Sequence, residues 1–311
     1  PSLPPIFQQI RAQLNTLMAS QTMTALSKAL TVLHSVFKKR PRFPYLLYIM
    51  VMAIVDSAAV LFIQWGTYTE PTYTAPSTVD ETTRLLNSIR GQLTRFVAQM
   101  WMEQKYIWLL NFCVLGMVYL VLIFVLNRFW VATALFAIIT SVFAVANHIK
   151  IQLRNEPVIP SDLSFISSGN GGEIASFIPK DSQALVNNTI TMLVWLTIAC
   201  LLLQFIDGRR CVISFHWRRP LRNTKTIIGN CTRIVAVIVS TSLLCSFTLN
   251  LNTVGSWSHN WAQALGDSPT LWDAAGDASL NGPTINFLRL ANPKTMTKPS
   301  DYSQATMQEI A

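Results

Sequence analysis

Residues 44–66 read PYLLYIMVMAIVDSAAVLFIQWG and carry one charged side chain, Asp56. At a rise of about 1.5 Å per residue, a helix of this length crosses the roughly 30 Å hydrocarbon core of a bilayer. Four further apolar runs occupy residues 106–126, 129–149, 186–206 and 234–251. Lipid offers the backbone no hydrogen-bond partners, and no run alternates like a barrel strand, so all five are predicted to be helices. The sequence therefore predicts an all-α polytopic membrane protein with five transmembrane helices.

The composition excludes an ordinary soluble enzyme. Of the 311 residues, 51% are hydrophobic and only 13% are charged, about half the roughly 25% of a soluble domain. The sequence contains no glycine-rich phosphate loop, no HExxH and no GxSxG. We therefore predict no catalytic residue, no metal site and no cofactor in this chain. The basic loop 207–233 interleaves its cations with only His216 and Trp217, which argues against a nucleic-acid partner.

The distribution of charge predicts the orientation of the spans. Segments 1–43, 127–128 and 207–233 together hold fourteen basic residues and one acid. The segments on the other side, 67–105, 150–185 and 252–311, hold ten basic and thirteen acidic residues. By the positive-inside rule the first set is cytoplasmic, so we expect the N-terminus inside and the C-terminus outside.

Two segments outside the spans are predicted to be amphipathic interfacial helices. Residues 1–43 contain no acid, have apolar residues at helical spacing, and end in a basic cluster of Lys38, Lys39, Arg40 and Arg42. This segment is predicted to lie on the inner leaflet, and the alternative is a basic topology anchor with no further role. Residues 78–105 begin with Thr78 and Glu81 at capping-box spacing, followed by one apolar stripe, which predicts an outer interfacial helix.

A polar motif follows the third span, in NHIKIQLRNEPVIPSDL (147–163). Its candidate lipid-headgroup residues are Asn147, Lys150, Arg154, Glu156 and Asp162, and its candidate structural residues are Pro157, Pro160 and Leu163. Two cations at the outer membrane boundary suit a phosphate, with Arg154 as a bidentate donor and Lys150 as a point charge. The alternative interpretation is a pair of snorkelling cations that close the span, followed by a proline-rich turn.

This motif, together with NGPTINFLRLANPKTMTKPSDYS (281–303) and the five-span topology, resembles the membrane half of the lipoteichoic acid synthase family of phosphoglycerol transferases. The family's pattern after the third span is matched by Asn147, Lys150, Arg154, Glu156, Pro157, Pro160, Asp162 and Leu163. Its usual connector is matched by Asn281, Gly282, Phe287, Leu288, Met296, Pro299, Tyr302 and Ser303. The resemblance covers nearly the whole chain.

The resemblance implies a function in cell-wall biogenesis at the bacterial plasma membrane. In this family the membrane half is followed by an extracellular sulfatase-like domain. The threonine nucleophile and divalent metal (Mn or Mg) of that domain move glycerol phosphate from phosphatidylglycerol onto a growing polymer. Residues 252–311 would then connect the spans to that domain. The chain ends at Ala311, so we expect it to be the membrane part of a longer transferase and inactive alone. Its expected partners are phosphatidylglycerol, the glycolipid anchor and its own catalytic domain.

Two other classes of function stay open at this point. Asp56 inside the first span and the closely spaced second and third spans are compatible with a small membrane transporter or lipid translocator. The chain is also compatible with a non-catalytic membrane partner of a separate enzyme.

Overall fold

The computed structural model describes residues 41–73, 79–167, 178–215, 223–270 and 272–292, and within them the chain is helical without a strand. Five of the eleven helices described there are long and apolar enough to cross a membrane: α1 (Tyr45–Trp65), α4 (Ile107–Leu126), α5 (Phe129–Arg154), α7 (Lys180–Ile206) and α8 (Thr224–Asn250). The shorter helices are α2 (Glu81–Asn87), α3 (Ile89–Met102), α6 (Asp162–Ser167), α9 (Trp257–Ala264), α10 (Ala274–Asn281) and α11 (Pro283–Ala291). The predicted all-α fold is confirmed, with five helices long and apolar enough to span a membrane. The predicted orientation, with the N-terminus inside and the C-terminus outside, stays a prediction.

Some features predicted from the sequence lie outside the described residues. They are the amphipathic segment up to residue 40, and the part of the connector that contains Met296, Pro299, Tyr302 and Ser303.

Three long helices extend beyond the predicted apolar runs. Helix α5 continues past residue 149 to Arg154, α7 begins at Lys180 rather than 186, and α8 begins at Thr224 rather than 234. Hydropathy marks only the section that suits hydrocarbon, whereas backbone hydrogen bonding continues into the interface, where polar side chains are solvated. As a result, residues 147–154 of the polar motif belong to the helix of the third span.

Helix α5 is the centre of the bundle and packs against α1, α4 and α7. Half of its fourteen buried residues are small, including Ala132, Thr133, Ala137 and Ala144, and small residues let helix backbones approach closely in a membrane. Of its most apolar section, 61% is buried, against 11% for α7 and 17% for α8. The exposed apolar surfaces of α7 and α8 are compatible with contact to lipid, and hence with a multi-pass membrane protein.

The turn between α4 and α5 defines what we call the hairpin end of the bundle. Asn127 adopts a left-handed conformation, with φ of 54°, which asparagine tolerates better than most residues. Its side-chain amide donates to the Ile213 carbonyl (2.7 Å) and accepts from the Ile213 backbone N–H (2.9 Å). The turn thereby fixes the segment that follows α7.

A buried carboxylate also holds the hairpin end together. Asp207, immediately after α7, is fully buried and accepts a hydrogen bond from the Tyr48 hydroxyl of α1. It also accepts from Trp130 Nε1 of α5 (3.2 Å) and from the backbone N–H of Arg209 (2.8 Å). Three donors compensate the desolvation of this charge, so one acid ties α7 to the first and third spans.

Instead of the single interfacial helix predicted over 78–105, the structure has two, α2 and α3. The break lies at Ser88, which is extended (φ −62°, ψ 157°) and whose Oγ accepts from the Gly91 backbone N–H at 3.1 Å. Serine is a favourable N-cap, so it starts a new helix at a point where apolar periodicity alone predicts continuation. The apolar stripe is divided accordingly, because Phe96 is buried against the bundle whereas Leu85 and Leu86 are exposed.

The opposite end of the bundle, which we call the loop end, is capped by residues 252–270 and 272–292. Helices α9 and α11 pack on α4 and α8 through a small apolar core of Leu110, Val114, Phe247, Leu251, Ala262 and Ile285. The segment described here is thus folded onto the spans. Its last residue with a described contact, Asn292, accepts through its carbonyl from Asn252 Nδ2 at 2.8 Å.

Candidate functional site

The polar motif forms a clamp at the loop end of α5. Lys150 Nζ lies 2.7 Å from Asp162 Oδ2 in a largely buried ion pair, with side-chain exposures of 16% and 29%. The same carboxylate oxygen accepts from the backbone N–H of Ile159 at 2.9 Å. One carboxylate therefore both neutralises Lys150 and closes the turn before α6.

Asn147, one turn earlier on α5, holds the other end of the same segment. It is fully buried, accepts through Oδ1 from the Val158 backbone N–H (2.9 Å) and donates through Nδ2 to Thr67 Oγ1 (3.2 Å). The segment 155–161 is short of regular hydrogen bonds because Pro157 and Pro160 have no N–H to donate. Asn147 and Asp162 supply acceptors for two of its remaining N–H groups. We call the contacts of Asn147, Lys150 and Asp162 the motif clamp.

The two other candidate headgroup residues lie at the surface beside this clamp. Arg154 is the last residue of α5, and Glu156 follows Asn155, whose φ of 54° ends the helix. Both side chains are exposed, and neither forms a hydrogen bond or ion pair with another described residue. Of the five candidates, the structure thus brings three together in internal contacts and leaves Arg154 and Glu156 facing outward. Pro157 is buried, Pro160 is half-buried and Leu163 is exposed.

The motif clamp changes which cation is free to bind an anion. Because Lys150 already has a carboxylate within ion-pair distance, its charge is largely compensated, whereas the five N–H donors of the Arg154 guanidinium have no partner among the described residues. A planar guanidinium suits a phosphate through two parallel hydrogen bonds. The exposed guanidinium of Arg154 is therefore the group of this surface that is best suited chemically to a phosphate.

A second set of polar contacts lies beside the clamp, and the sequence alone did not predict it. The His148 ring stacks on Trp65, with ring centroids 4.4 Å apart and an interplanar angle of 18°. Gln152 Nε2 lies 2.9 Å from His148 Nε2, and Ser182 Oγ of α7 donates to Gln152 Oε1 at 3.4 Å. The i, i+4 spacing of His148 and Gln152 on a helix could have indicated their contact, but the stacking on α1 depends on the packing of α5.

Arg289 and the two aspartates that it contacts carry the most strongly buried charges of the loop end. The sequence alone did not single out this arginine. Its guanidinium contacts Asp277 at 2.6 Å through Nη1, and Asp267 at 2.6 and 2.7 Å through Nη2. Arg289 is 3% exposed, and both carboxylates are buried. Burial raises the pKa of Asp267 above its ordinary value, although Arg289 opposes this effect. We call these three residues the arginine cluster.

The arginine cluster is a structural element. Asp277 Oδ1 also accepts from Asn281 Nδ2 (2.8 Å) and from the Thr270 backbone N–H (3.0 Å). The cluster is buried, and both terminal nitrogens of Arg289 are paired with carboxylates of the same segment, as in a structural ion-pair network. Its effect is to fix α10 and α11 to the turn after α9.

No group of three metal-ligating side chains occurs among the described residues. Comparisons with protein-family models, with curated proteins and with solved structures find no match to this chain.

Proposed function

We propose that this chain is the membrane domain of a lipoteichoic acid synthase-like phosphoglycerol transferase in a bacterial plasma membrane. It anchors an extracellular catalytic domain that follows it in the full-length protein. It also binds phosphatidylglycerol, or the glycolipid or polymer acceptor, at its surface. In this proposal, transferase activity and the Mn or Mg ion it requires belong to that catalytic domain.

The observation that carries this proposal is the motif clamp with its exposed arginine. Lys150 and Asp162 form an ion pair at 2.7 Å. Arg154, the last residue of α5, is exposed and has no hydrogen-bond or ion-pair partner among the described residues. A helix end of a membrane span is close to the depth of lipid headgroups, so a phosphate there is within reach of the guanidinium. The positive-inside count supports an extracellular location for this end of the bundle.

Substitution of Arg154 in the full-length protein tests the proposal. We expect Arg154→Ala to lower polymer synthesis about tenfold or more, because one bidentate charge-assisted contact to a phosphate is lost. Polymer is measured by immunoblot or by release of labelled glycerol phosphate, alongside the protein level in the membrane.

Arg90→Ala is the matched control, since Arg90 is an exposed arginine on α3 with no ion pair to a described residue. Unchanged synthesis in Arg154→Ala at equal protein level would refute the headgroup site. A fall of equal size in both variants would show that the effect is not specific to Arg154.

A further inference from the structure

The cations of the hairpin end have no ion-pair partner among the described residues. Every ion pair between described residues lies at the loop end, where carboxylates pair with Arg95, Lys105, Lys150 and Arg289. The described part of the hairpin end holds six cations, namely Arg42, Arg128, Arg209, Arg210, Lys225 and Arg233. The two ends of the bundle therefore differ in how their positive charge is neutralised.

The described part of the hairpin end contains one acid, Asp207, and its carboxylate is already used. It is fully buried and accepts from the Tyr48 hydroxyl, from Trp130 Nε1 and from the backbone N–H of Arg209. Six cations against one acid leave an excess of five positive charges in this part of the molecule. Such an excess at one end of a membrane bundle attracts anionic groups from outside the chain.

The segment after α7 brings two of these cations together at the start of α1. Gly208 donates through its backbone N–H to the Pro41 carbonyl at 2.9 Å, so Arg42 and Arg209 each directly follow a residue of this bond. The Arg209 guanidinium carbon lies 3.9 Å from the centre of the Tyr45 ring, and the guanidinium has no hydrogen-bond acceptor among the described residues. We call Arg42 and Arg209 the hairpin arginines.

Exposed apolar side chains of two spans lie close to the hairpin arginines. Leu46 follows Tyr45 in α1, and Phe205 and Ile206 end α7 within about one turn of Arg209, and all three side chains are exposed. A soluble polyanion would contact the cations alone. A phospholipid contacts both surfaces, because its phosphate lies at the depth where a span ends and its acyl chains lie along the apolar section of that span.

We propose that the hairpin arginines bind the phosphate of an anionic phospholipid whose acyl chains lie against α1 and α7. A guanidinium suits a phosphate through parallel charge-assisted hydrogen bonds. The excess positive charge selects a lipid of net negative charge over a zwitterionic one. This end of the bundle is opposite to Arg154, so the inference does not rest on the proposed function.

Photo-crosslinking of the purified chain in phosphatidylcholine nanodiscs tests the proposal. The probe is phosphatidylglycerol with a diazirine near the start of one acyl chain, and the matched probe is phosphatidylcholine with the same chain. We expect phosphatidylglycerol to label peptides that contain Leu46 or Phe205 about tenfold more than phosphatidylcholine at low salt, and this preference to fall at about 0.5 M NaCl. Equal labelling by the two probes would overturn the proposal.

Two double variants locate the site. Arg42→Gln with Arg209→Gln should lower labelling by the phosphatidylglycerol probe about tenfold or more, since each cation near an anionic surface contributes a factor of about five. Arg90→Gln with Arg154→Gln removes the same charge from the loop end and should leave labelling of these peptides unchanged. Equal effects of the two double variants would refute the site. Because the second double variant removes the arginine of the proposed headgroup site, failure of one site is distinguished from failure of the other.

A soluble competitor distinguishes a lipid from another polyanion. Sodium triphosphate, added at the same phosphate concentration as unlabelled phosphatidylglycerol, should reduce labelling much less than the lipid does, because it lacks the acyl chains that contact α1 and α7. An equal reduction by the two competitors would assign this surface to a soluble polyanion and overturn the proposal. Unchanged labelling by the phosphatidylcholine probe confirms that each variant is folded.

Discussion

Removal of the Arg289 side chain is expected to open the loop end of the bundle without unfolding the spans. In Arg289→Leu, the carboxylates of Asp267 and Asp277 stay buried but lose four contacts of 2.6 to 2.7 Å. Breaking a buried ion pair by removing one partner costs about 3–5 kcal/mol, mainly because the remaining charge is uncompensated. Two carboxylates of like charge in one buried site place this variant towards the upper end of that range.

The loss is expected to act locally. The arginine cluster joins α10 and α11 to the preceding turn. The central helix α5 meets this segment through the ring contact of Phe143 with Phe287 (5.4 Å), which does not involve the three residues of the cluster. A loss of about 3–5 kcal/mol corresponds to a population of the open segment at least about a hundredfold larger, since each 1.4 kcal/mol is a factor of ten. Segments of low local stability open independently of the rest of a protein.

Amide hydrogen exchange of the purified chain in detergent, followed by mass spectrometry, measures this opening. Peptides from α10 and α11 should exchange at least about a hundredfold faster in Arg289→Leu, while peptides from α5 keep their rates. Arg90→Leu, at an exposed arginine, should change neither, since surface substitutions usually stay within about 0.5 kcal/mol. Wild-type exchange rates of α10 and α11 in Arg289→Leu would refute the reasoning, because the cluster would then contribute nothing to stability.

The same segment yields two further predictions. Because Asp267 binds its proton more tightly in the folded state, its contribution to stability is complete below the ordinary aspartate pKa of about 3.9 and falls as the pH rises through the raised value. Exchange of α10, corrected for the intrinsic rate at each pH, should therefore accelerate from mildly acidic to neutral pH, and Asp267→Asn should remove this dependence. An equal slope in both proteins would contradict it. Gly282→Ala should destabilise the loop end more than Gly255→Ala. Both glycines have a positive φ, of 92° and 82°, but an added Cβ at Gly282 would lie 2.4 Å from the Asn111 side chain, whereas Gly255 has open space. Equal shifts in thermal stability would show that Asn111 moves away at no cost.

The sequence predicts part of the candidate site. It singles out Asn147, Lys150 and Asp162, which the structure joins in the motif clamp, because their polar character stands out at the end of an apolar span. It does not show that Lys150 is paired with a carboxylate while Arg154 stays exposed. That difference depends on a turn that brings Asp162 back to Lys150, twelve residues away along the chain.

The five spans were determined by the sequence itself, because the choice between helix and any other backbone in lipid is local: every run of apolar residues must satisfy its own hydrogen bonds. Tertiary structure decided what lies between and beside them. The arginine cluster joins acids 12 and 22 residues from Arg289, and a groove beside Asp56 is lined by residues of α1, α4, α8 and α9, which lie far apart in the sequence. Such contacts depend on how helices pack, and side-chain shape and pairing across the bundle decide that packing.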